Sequence, residues 1–273
     1  MDQGSEINPA GHLAPPAPAR SLSEQFVADH LFLYLAAGEL RVYDGHQRFT
    51  LQAGDYYLVR KNRLVRYDPG SAGAGCEMTY CCFDEPFLRA FEEKHPVGTK
   101  KSCPSDAFVA LAATETIAGF IRSLGPYRTP AGSVTEAFRA VKHEELLLIL
   151  LQHQPELADI LFDYGLPGKI GLEKFMNTHF KFNVSLPRFA FLTGRSLSAF
   201  KRDFQAVFHQ TPSRWLVQKR LQEAYFLLDE QHEKPSDIYF DLGFKDLSHF
   251  SFAFKNRFGV APSVLLKQKT SGC

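Results

Sequence analysis

The chain has 273 residues, with 31 Lys and Arg against 30 Asp and Glu for a net charge of +1, and is 45% hydrophobic. These values exclude collagen-like, disordered and disulfide-scaffold classes. The apolar run Leu146 to Leu151 is only six residues, far short of the ~18 that span a bilayer, so no membrane association is expected. Residues 1–20 are rich in Pro and Ala and lack an apolar core, so they do not read as a secretory signal and a cytoplasmic protein is expected.

The near-zero total hides an asymmetry. Residues 168–273 carry 10 Lys and 6 Arg against 9 acids, a balance of +7, whereas residues 1–167 carry 15 bases against 21 acids. The basic part also holds 15 of the 25 Phe. A flexible tail over 1–22 and two domains, one over 23–165 and a basic one over 168–273, are therefore expected. Cys76, Cys81, Cys82, Cys103 and Cys273 are odd in number and show no zinc spacing, which reads as reduced thiols.

From His30 the chain reads as short β runs between turn residues: HLFLYLAA, ELRVY, the Asp44-Gly45 turn, HQRFTLQ, YYLVR, RLVRY and, after Pro69 to Gly75, EMTYCCF. Strands at this spacing predict a small antiparallel barrel or sandwich, with Asp-Gly as the firmest hairpin turn. Ala107 to Leu124 reads as helical, and after a Gly/Pro-rich break a second helix runs from about Val134 to Gln152. Phe138, Val141, Leu148 and Leu151 line one side of it, and LLLILL makes its last turns apolar all round. Such a helix either packs on its own barrel or meets a second copy of the chain.

The basic part repeats itself. Gly194 to Phe200 aligns with Gly243 to Phe250 with one extra turn residue in the second copy; Phe204 then matches Phe254, Phe208 matches Phe258, and Thr211-Pro212-Ser213 matches Ala261-Pro262-Ser263. Each copy reads as a short helix ended by glycine, a polar N-cap (Ser196 or Asp246) and a second helix with Phe every four residues. These are two helix-turn-helix motifs, joined by one long helix from Ser213 to about Glu230. With Phe200 and Phe204 buried, Ser198, Lys201 and Arg202 face outward near the start of the second helix, the part that enters a major groove in such motifs. Arg and Lys donate to guanine O6 and N7. The equivalent set in the second copy, Ser248, Ser251 and Phe252, carries no charge. The second motif is therefore expected to depend on phosphate contacts from Lys245, Lys255 and Arg257, with Phe252 against thymine methyls.

These residues resemble the DNA-binding region of AraC/XylS-type transcription activators. The resemblance rests on Phe189-Ala190, Gly194-x-Ser196, Phe200-x-Arg202-x-Phe204 and Pro212, on Arg220-Leu221, Ala224 and Leu227-Leu228 in the joining helix, and on Ile238, Gly243-Phe244, Phe250, Phe254-Lys255, Gly259 and Pro262. Over the whole chain the ExsA type is most similar, through AAGELRVYDGHQRFTLQAGDYYLVRKN, KHEELLLIL and LEKFMNTHF. The resemblance implies an activator that reads successive major-groove faces of promoter DNA, an N-terminal domain that self-associates as a homodimer, and a protein partner able to restrain it. Three positions depart from the pattern: Tyr239 where Ala190 stands in the first copy, His209 in place of a glycine, and Leu266 where an arginine often follows the last proline.

The fold class expected is thus α+β: a small antiparallel, cupin-like β-barrel with flanking helices, followed by an all-α domain of two helix-turn-helix motifs. Metal catalysis of the cupin kind needs a cluster of His and carboxylate ligands, and the barrel segment offers only His30 and His46. No phosphate loop, dinucleotide fingerprint or nucleophile elbow occurs, so neither an enzyme nor a cofactor or metal is expected. Tyr34, Tyr43, Phe49, Tyr57 and Tyr80 either line a small-molecule effector cavity or fill a dry core. The competing roles of the first domain are a small-molecule sensor and a protein-interaction module.

Overall fold

The computed structural model describes residues 26–67, 77–98, 106–128 and 134–270. The expected tail over 1–22, the Pro69 to Gly75 turn, Cys76, Cys103 and Cys273 lie outside the described residues. The chain forms two compact units, with the boundary between Gly165 and Leu166.

The N-terminal unit contains β1 (Phe26–Val27), β2 (His30–Ala37), β3 (Glu39–Tyr43), β4 (Arg48–Gln52), β5 (Tyr56–Val59), β6 (Arg63–Leu64), β7 (Arg66–Tyr67), β8 (Glu77–Phe83), α1 (Glu85–Lys94), β9 (Phe108–Ala110), α2 (Glu115–Ser123), α3 (Glu136–His153) and α4 (Ala158–Leu161). A four-stranded antiparallel sheet in the order β8-β2-β5-β9 forms its middle layer. The alternation of side chains along these strands sends Phe32, Leu58, Cys81 and Phe83 into a core shared with α1 to α4. Leu33, Leu35, Val59 and Met78 point the other way, into a second core with Leu40, Val42, Leu51 and Tyr67 from the three-stranded sheet β4-β3-β7. A sheet covered on both faces reads as a continuous apolar run, which is why HLFLYLAA shows so little alternation.

The expected closed barrel is not what these strands form: among the described residues the pairings make separate open sheets. The break has a local cause. The run RLVRY, read as one strand, divides at Val65, giving Arg63 and Leu64 to β1 and Arg66 and Tyr67 to β3. The Asp44-Gly45 hairpin forms as expected, with Asp44 Oδ1 accepting from the backbone N–H of His46 (2.8 Å) and of Gln47 (2.9 Å). Two elements depart from expectation. The segment from Ala107 begins as β9, paired to β5, and turns helical only after Thr114 caps α2 by accepting from the Ile117 N–H. Here the open edge of β5 prevails over a helical pattern. Helix α1 was not anticipated, although Asp84 accepts from the Phe87 N–H and Pro86 lies in the first turn, a legible start signal.

The C-terminal unit is all helical: α5 (Leu172–His179), α6 (Leu186–Leu192), α7 (Leu197–Phe208), α8 (Pro212–Asp229), α9 (Pro235–Ile238), α10 (Leu247–Phe258) and α11 (Pro262–Thr270). Helix α8 is the common spine. Near its start Trp215 packs on Phe204 and Phe208, with ring centroids 5.5 and 4.6 Å apart. Further along, Leu221, Ala224 and Leu228 join Ile238, Leu242, Phe244, Phe250 and Phe254 in one core. Between these two regions lies buried Arg220, which donates from Nε to Phe180 O (2.7 Å), from Nη1 to Gly243 O (2.8 Å) and from Nη2 to Phe182 O (2.7 Å). Burial lowers its pKa to about 10, so the guanidinium stays charged at neutral pH. Gly243, at φ 83°, has no room for a Cβ, which would lie 2.6 Å from Lys181 O and 2.9 Å from Arg220 Cζ.

Two outcomes follow for stability. Arg220→Met leaves three buried carbonyls without their charged donor and should cost at least about 3 kcal/mol in denaturant unfolding of the C-terminal unit. Breaking the partly exposed Lys181–Glu223 pair (2.6 Å) by Glu223→Ala should cost under about 1 kcal/mol; equal losses would deny Arg220 its special role. In the N-terminal unit, burial with the nearby Lys61 and Arg60 pushes His30 down to about 3. Burial with Arg139 pushes His143, edge-on to Phe83 and Phe87, down to about 4. Both are neutral when folded at pH 7, whereas unfolded histidine titrates near 6.5. The unfolded chain therefore binds more protons below pH 6.5, and the stability complete above that value falls as the pH drops. From pH 7 to 5 the loss should be roughly 2 kcal/mol per histidine, with the His143 share removed by His143→Phe; a pH-independent melting temperature would refute it.

Candidate nucleic-acid interface

The two motifs are built alike in their backbones. In the first, α6 ends at Thr193, the Gly194 N–H donates to Phe191 O (2.9 Å) and the Arg195 N–H to Ala190 O (2.9 Å). In the second, the Gly243 N–H donates to Phe240 O (2.9 Å) and the Phe244 N–H to Tyr239 O (3.0 Å). Gly194, at φ 65°, is as confined as Gly243, since a Cβ there would lie 2.5 Å from the backbone of Gly168. Ser196 then caps α7 by accepting from the Ala199 N–H (3.2 Å), and Asp246 caps α10 by accepting from the His249 N–H (2.7 Å). Phe200, Phe204, Phe250 and Phe254 are fully buried. Burying that stripe turns the opposite arc of each helix to solvent.

On α7 the arc presents Ser198, Lys201 and Arg202, all exposed. Gln205, not singled out by the sequence pattern, is exposed on the same arc one turn further on; its amide has the donor and acceptor that adenine requires. On α10 the matching positions are Ser248, exposed; Ser251, half-buried; Phe252, 68% exposed; and Lys255, exposed at the place of Gln205. Lys255 therefore lies on the arc itself. Lys245 is exposed in the turn ahead of α10. Arg257, seven residues after Phe250, falls on the side of the buried stripe, and its guanidinium is 5.9 Å from the Phe258 ring centroid. It is exposed in the last turn of α10, off the arc.

Two residues that sequence patterns did not mark meet in the first motif, Arg195 in its turn and Asp203 on α7. The Arg195 side chain, 8% exposed, donates from Nη1 to Thr193 O (2.7 Å) and Ile170 O (3.0 Å), and from Nε to Asp203 Oδ2 (3.1 Å). Asp203 Oδ1 accepts from Arg202 Nε (3.3 Å) and Nη2 (3.2 Å). Arg195, then Arg202, hold the Asp203 carboxyl below the usual carboxylate range. The second motif has Phe244 where Arg195 stands, packed on Phe250 at 5.1 Å. The only signal for this difference was the mismatch between the two copies. Tyr239, at the place of Ala190, is half-buried against the second motif's core, and His209 caps α7 in the left-handed region at φ 54°, where α10 has Gly259 at φ 79°.

The remaining expected residues lie in the N-terminal unit. Phe138, Val141 and Leu148 are 45%, 62% and 42% exposed along α3, whereas Leu151 is partly buried against the unit's own core. The five aromatics offered as cavity lining do not converge: Tyr34 packs with the helical core, and Phe49, Tyr57 and Tyr80 with the other. Tyr43 donates to Gly45 O (2.9 Å) under Arg66. Among the described residues no three His, Cys, Asp or Glu side chains group to hold a metal ion, and no helix is long and apolar enough to cross a membrane. Cys81 is buried and Cys82 half-buried; burial pushes both thiols up, Cys82 to about 12.

Comparison with known proteins agrees with this geometry. Residues 30–160 match the ExsA N-terminal regulatory domain and residues 189–268 match a helix-turn-helix domain. The HTH-type transcriptional regulator ExsA of Pseudomonas aeruginosa is 27% identical over 235 residues, covering 84% of this chain and 83% of that protein. The virulence regulon transcriptional activator VirF of Yersinia enterocolitica is 33% identical over 133 residues, 47% of this chain and 49% of its own. Among solved structures, an apo ToxT variant from Vibrio cholerae aligns over 88% of this chain and 89% of its own at a TM-score of 0.40 and 13% identity. The chain thus carries an ExsA-type N-terminal regulatory domain followed by an AraC-type helix-turn-helix domain, and is similar over most of its length to a helix-turn-helix transcriptional regulator.

Proposed function

We propose that this chain is a cytoplasmic transcription activator that reads promoter DNA mainly through its first helix-turn-helix motif. The observation that carries this reading is the exposed arc of α7, where Ser198, Lys201, Arg202 and Gln205 stand together opposite fully buried Phe200 and Phe204. Lys201 and Arg202 supply donors suited to guanine, and Gln205 matches adenine. The arc of α10 holds Ser248, Ser251, Phe252 and Lys255, a set with one charge, so the second motif contributes phosphate contacts from Lys245, Lys255 and Arg257 and apolar contact from Phe252. The relatives are regulators, and the chain works by binding DNA, not by catalysis.

The N-terminal unit is read as the regulatory and self-associating part, a layered scaffold of sheets and helices that carries α3. Phe138, Val141 and Leu148 follow a helical spacing on one exposed face of α3, apolar positions of the kind that a second copy covers in a homodimer. Leu151 supports that face from the core side. The division of Tyr34, Phe49, Tyr57 and Tyr80 between two cores favours a protein as the regulatory partner over a small-molecule effector.

Mapping the genomic sites bound by the chain supplies the DNA for a direct test. In gel shifts, Arg202→Ala or Lys201→Ala should lose roughly 1–3 kcal/mol of discrimination at a single base pair, whereas Lys255→Ala should weaken all sequences alike and flatten the salt slope by about one. Equal losses on random DNA for all three would remove the base-reading assignment. Leu148→Glu should shift the chain toward monomer in sedimentation without changing its melting temperature; an unchanged monomer–dimer distribution would return these positions to simple exposure.

A further inference from the structure

The first motif contains a polar chain that the second lacks. It begins at the Ile170 carbonyl, passes through Arg195 Nη1 (3.0 Å) and Nε to Asp203 Oδ2 (3.1 Å), and leaves from Asp203 Oδ1 to Arg202 Nε and Nη2 (3.3 and 3.2 Å). Lys169 Nζ lies 4.0 Å from Asp203 Oδ2, and Gly194 packs directly on the backbone of Gly168 and Lys169. The segment 168–170, just past the boundary between the two compact units, is thus built into the turn that presents α7. In the second motif the positions of Arg195, Arg202 and Asp203 are taken by Phe244, Phe252 and Ala253, so no such chain is possible there.

We propose that Arg195 and Asp203 are positioning residues that couple segment 168–170 to the orientation of Arg202, so that the junction between the two units sets the base specificity of the first motif. The proposal rests on the reading of Arg202 as a base contact. Arg202 is 77% exposed and Asp203 22%, so their ion pair adds little to stability. What it does is restrict a flexible side chain. A guanidinium has five N–H donors; two are directed at Asp203, and the rest remain for an acceptor on DNA. Arg195 is the fixed end, because its side chain is buried and held by two backbone carbonyls as well as by the carboxylate. A displacement of residues 168–170 removes one of those carbonyls and frees Asp203 to turn, taking Arg202 with it.

The test uses the full chain and a mapped binding site with each base pair replaced in turn. Arg202→Ala should lose about tenfold discrimination or more at one base pair. Asp203→Asn and Arg195→Lys should each lose several-fold at that same base pair, with the melting temperature of Asp203→Asn unchanged. The double variant of Arg202→Ala with Asp203→Asn should be no worse than Arg202→Ala alone, because both remove one coupled interaction. Full discrimination in Asp203→Asn, or losses that add in the double variant, overturns the relay. Loss in Asp203→Asn with full discrimination in a folded Arg195→Lys overturns the coupling to segment 168–170. If Arg195→Lys does not fold, replacing Lys169-Ile170 by Gly-Gly takes its place with the same two outcomes. Absence of any position-specific loss in Arg202→Ala instead overturns the base-contact reading on which the relay stands.

Discussion

The C-terminal unit depends on one buried charge. Arg220 lies midway along α8 and holds the carbonyls of Phe180, Phe182 and Gly243, which belong to the connection after α5 and to the turn of the second motif. A buried guanidinium is costly unless its donors are satisfied, and here three backbone acceptors meet it at hydrogen-bonding distance. The requirement runs in both directions. The carbonyls need the donor as much as the donor needs them, and Gly243 must be glycine because a Cβ would collide with the guanidinium. A helix that supports two recognition motifs has to fix the second turn in place, and nonpolar packing alone, being non-directional, does this less specifically than three aimed hydrogen bonds.

Around that constraint the two motifs solve one geometric problem with different chemistry. Their turns share the same backbone hydrogen bonds, yet the side chain that follows the glycine is Arg195 in one and Phe244 in the other. Phe244 packs edge-on to the rings of Phe250 and His249. Arg195 stays polar, and its far end engages a carboxylate on the recognition helix. The first motif is therefore held by directional contacts that continue to its surface arc, and the second by packing that stops at the core. The same division appears on the surface, where α7 offers two adjacent cations and α10 an aromatic.

Much of this was legible in the sequence where a residue's role is local. The Phe stripes of α7 and α10, the Ser196 and Asp246 caps, the Asp44-Gly45 hairpin and the span of α8 are set by contacts within a few residues, and each appears in the chain as a repeat, a capping pair or a period. What was not legible depends on distant pairing. Phe108 to Ala110 follows a helical pattern but becomes β9 because β5 has an edge to fill. RLVRY looks like one strand and serves two sheets, so closure of a barrel could not be inferred from strand count. On the interface, exposure of Ser198, Lys201 and Arg202 follows from the stripe, whereas the roles of Arg195 and Asp203 need Ile170, 25 positions from Arg195, to be in place.

Electrostatics then connects the local and the distant. The chain's +1 is a difference between an acidic and a basic part, and within the basic part the charges are again not equivalent. Arg220 is spent on buried backbone carbonyls, Arg195 on the Thr193 and Ile170 carbonyls and the Asp203 carboxylate, and Lys181 on Glu223, so they add to the balance of +7 while their charge is engaged within the unit. Lys201, Arg202, Lys245, Lys255 and Arg257 are among the cations that stay exposed and carry the surface share. Because counterion release scales with the phosphates neutralised and not with total charge, the salt dependence of DNA binding is governed by this smaller exposed set. The internal arginines act instead on geometry, by fixing where that set is presented.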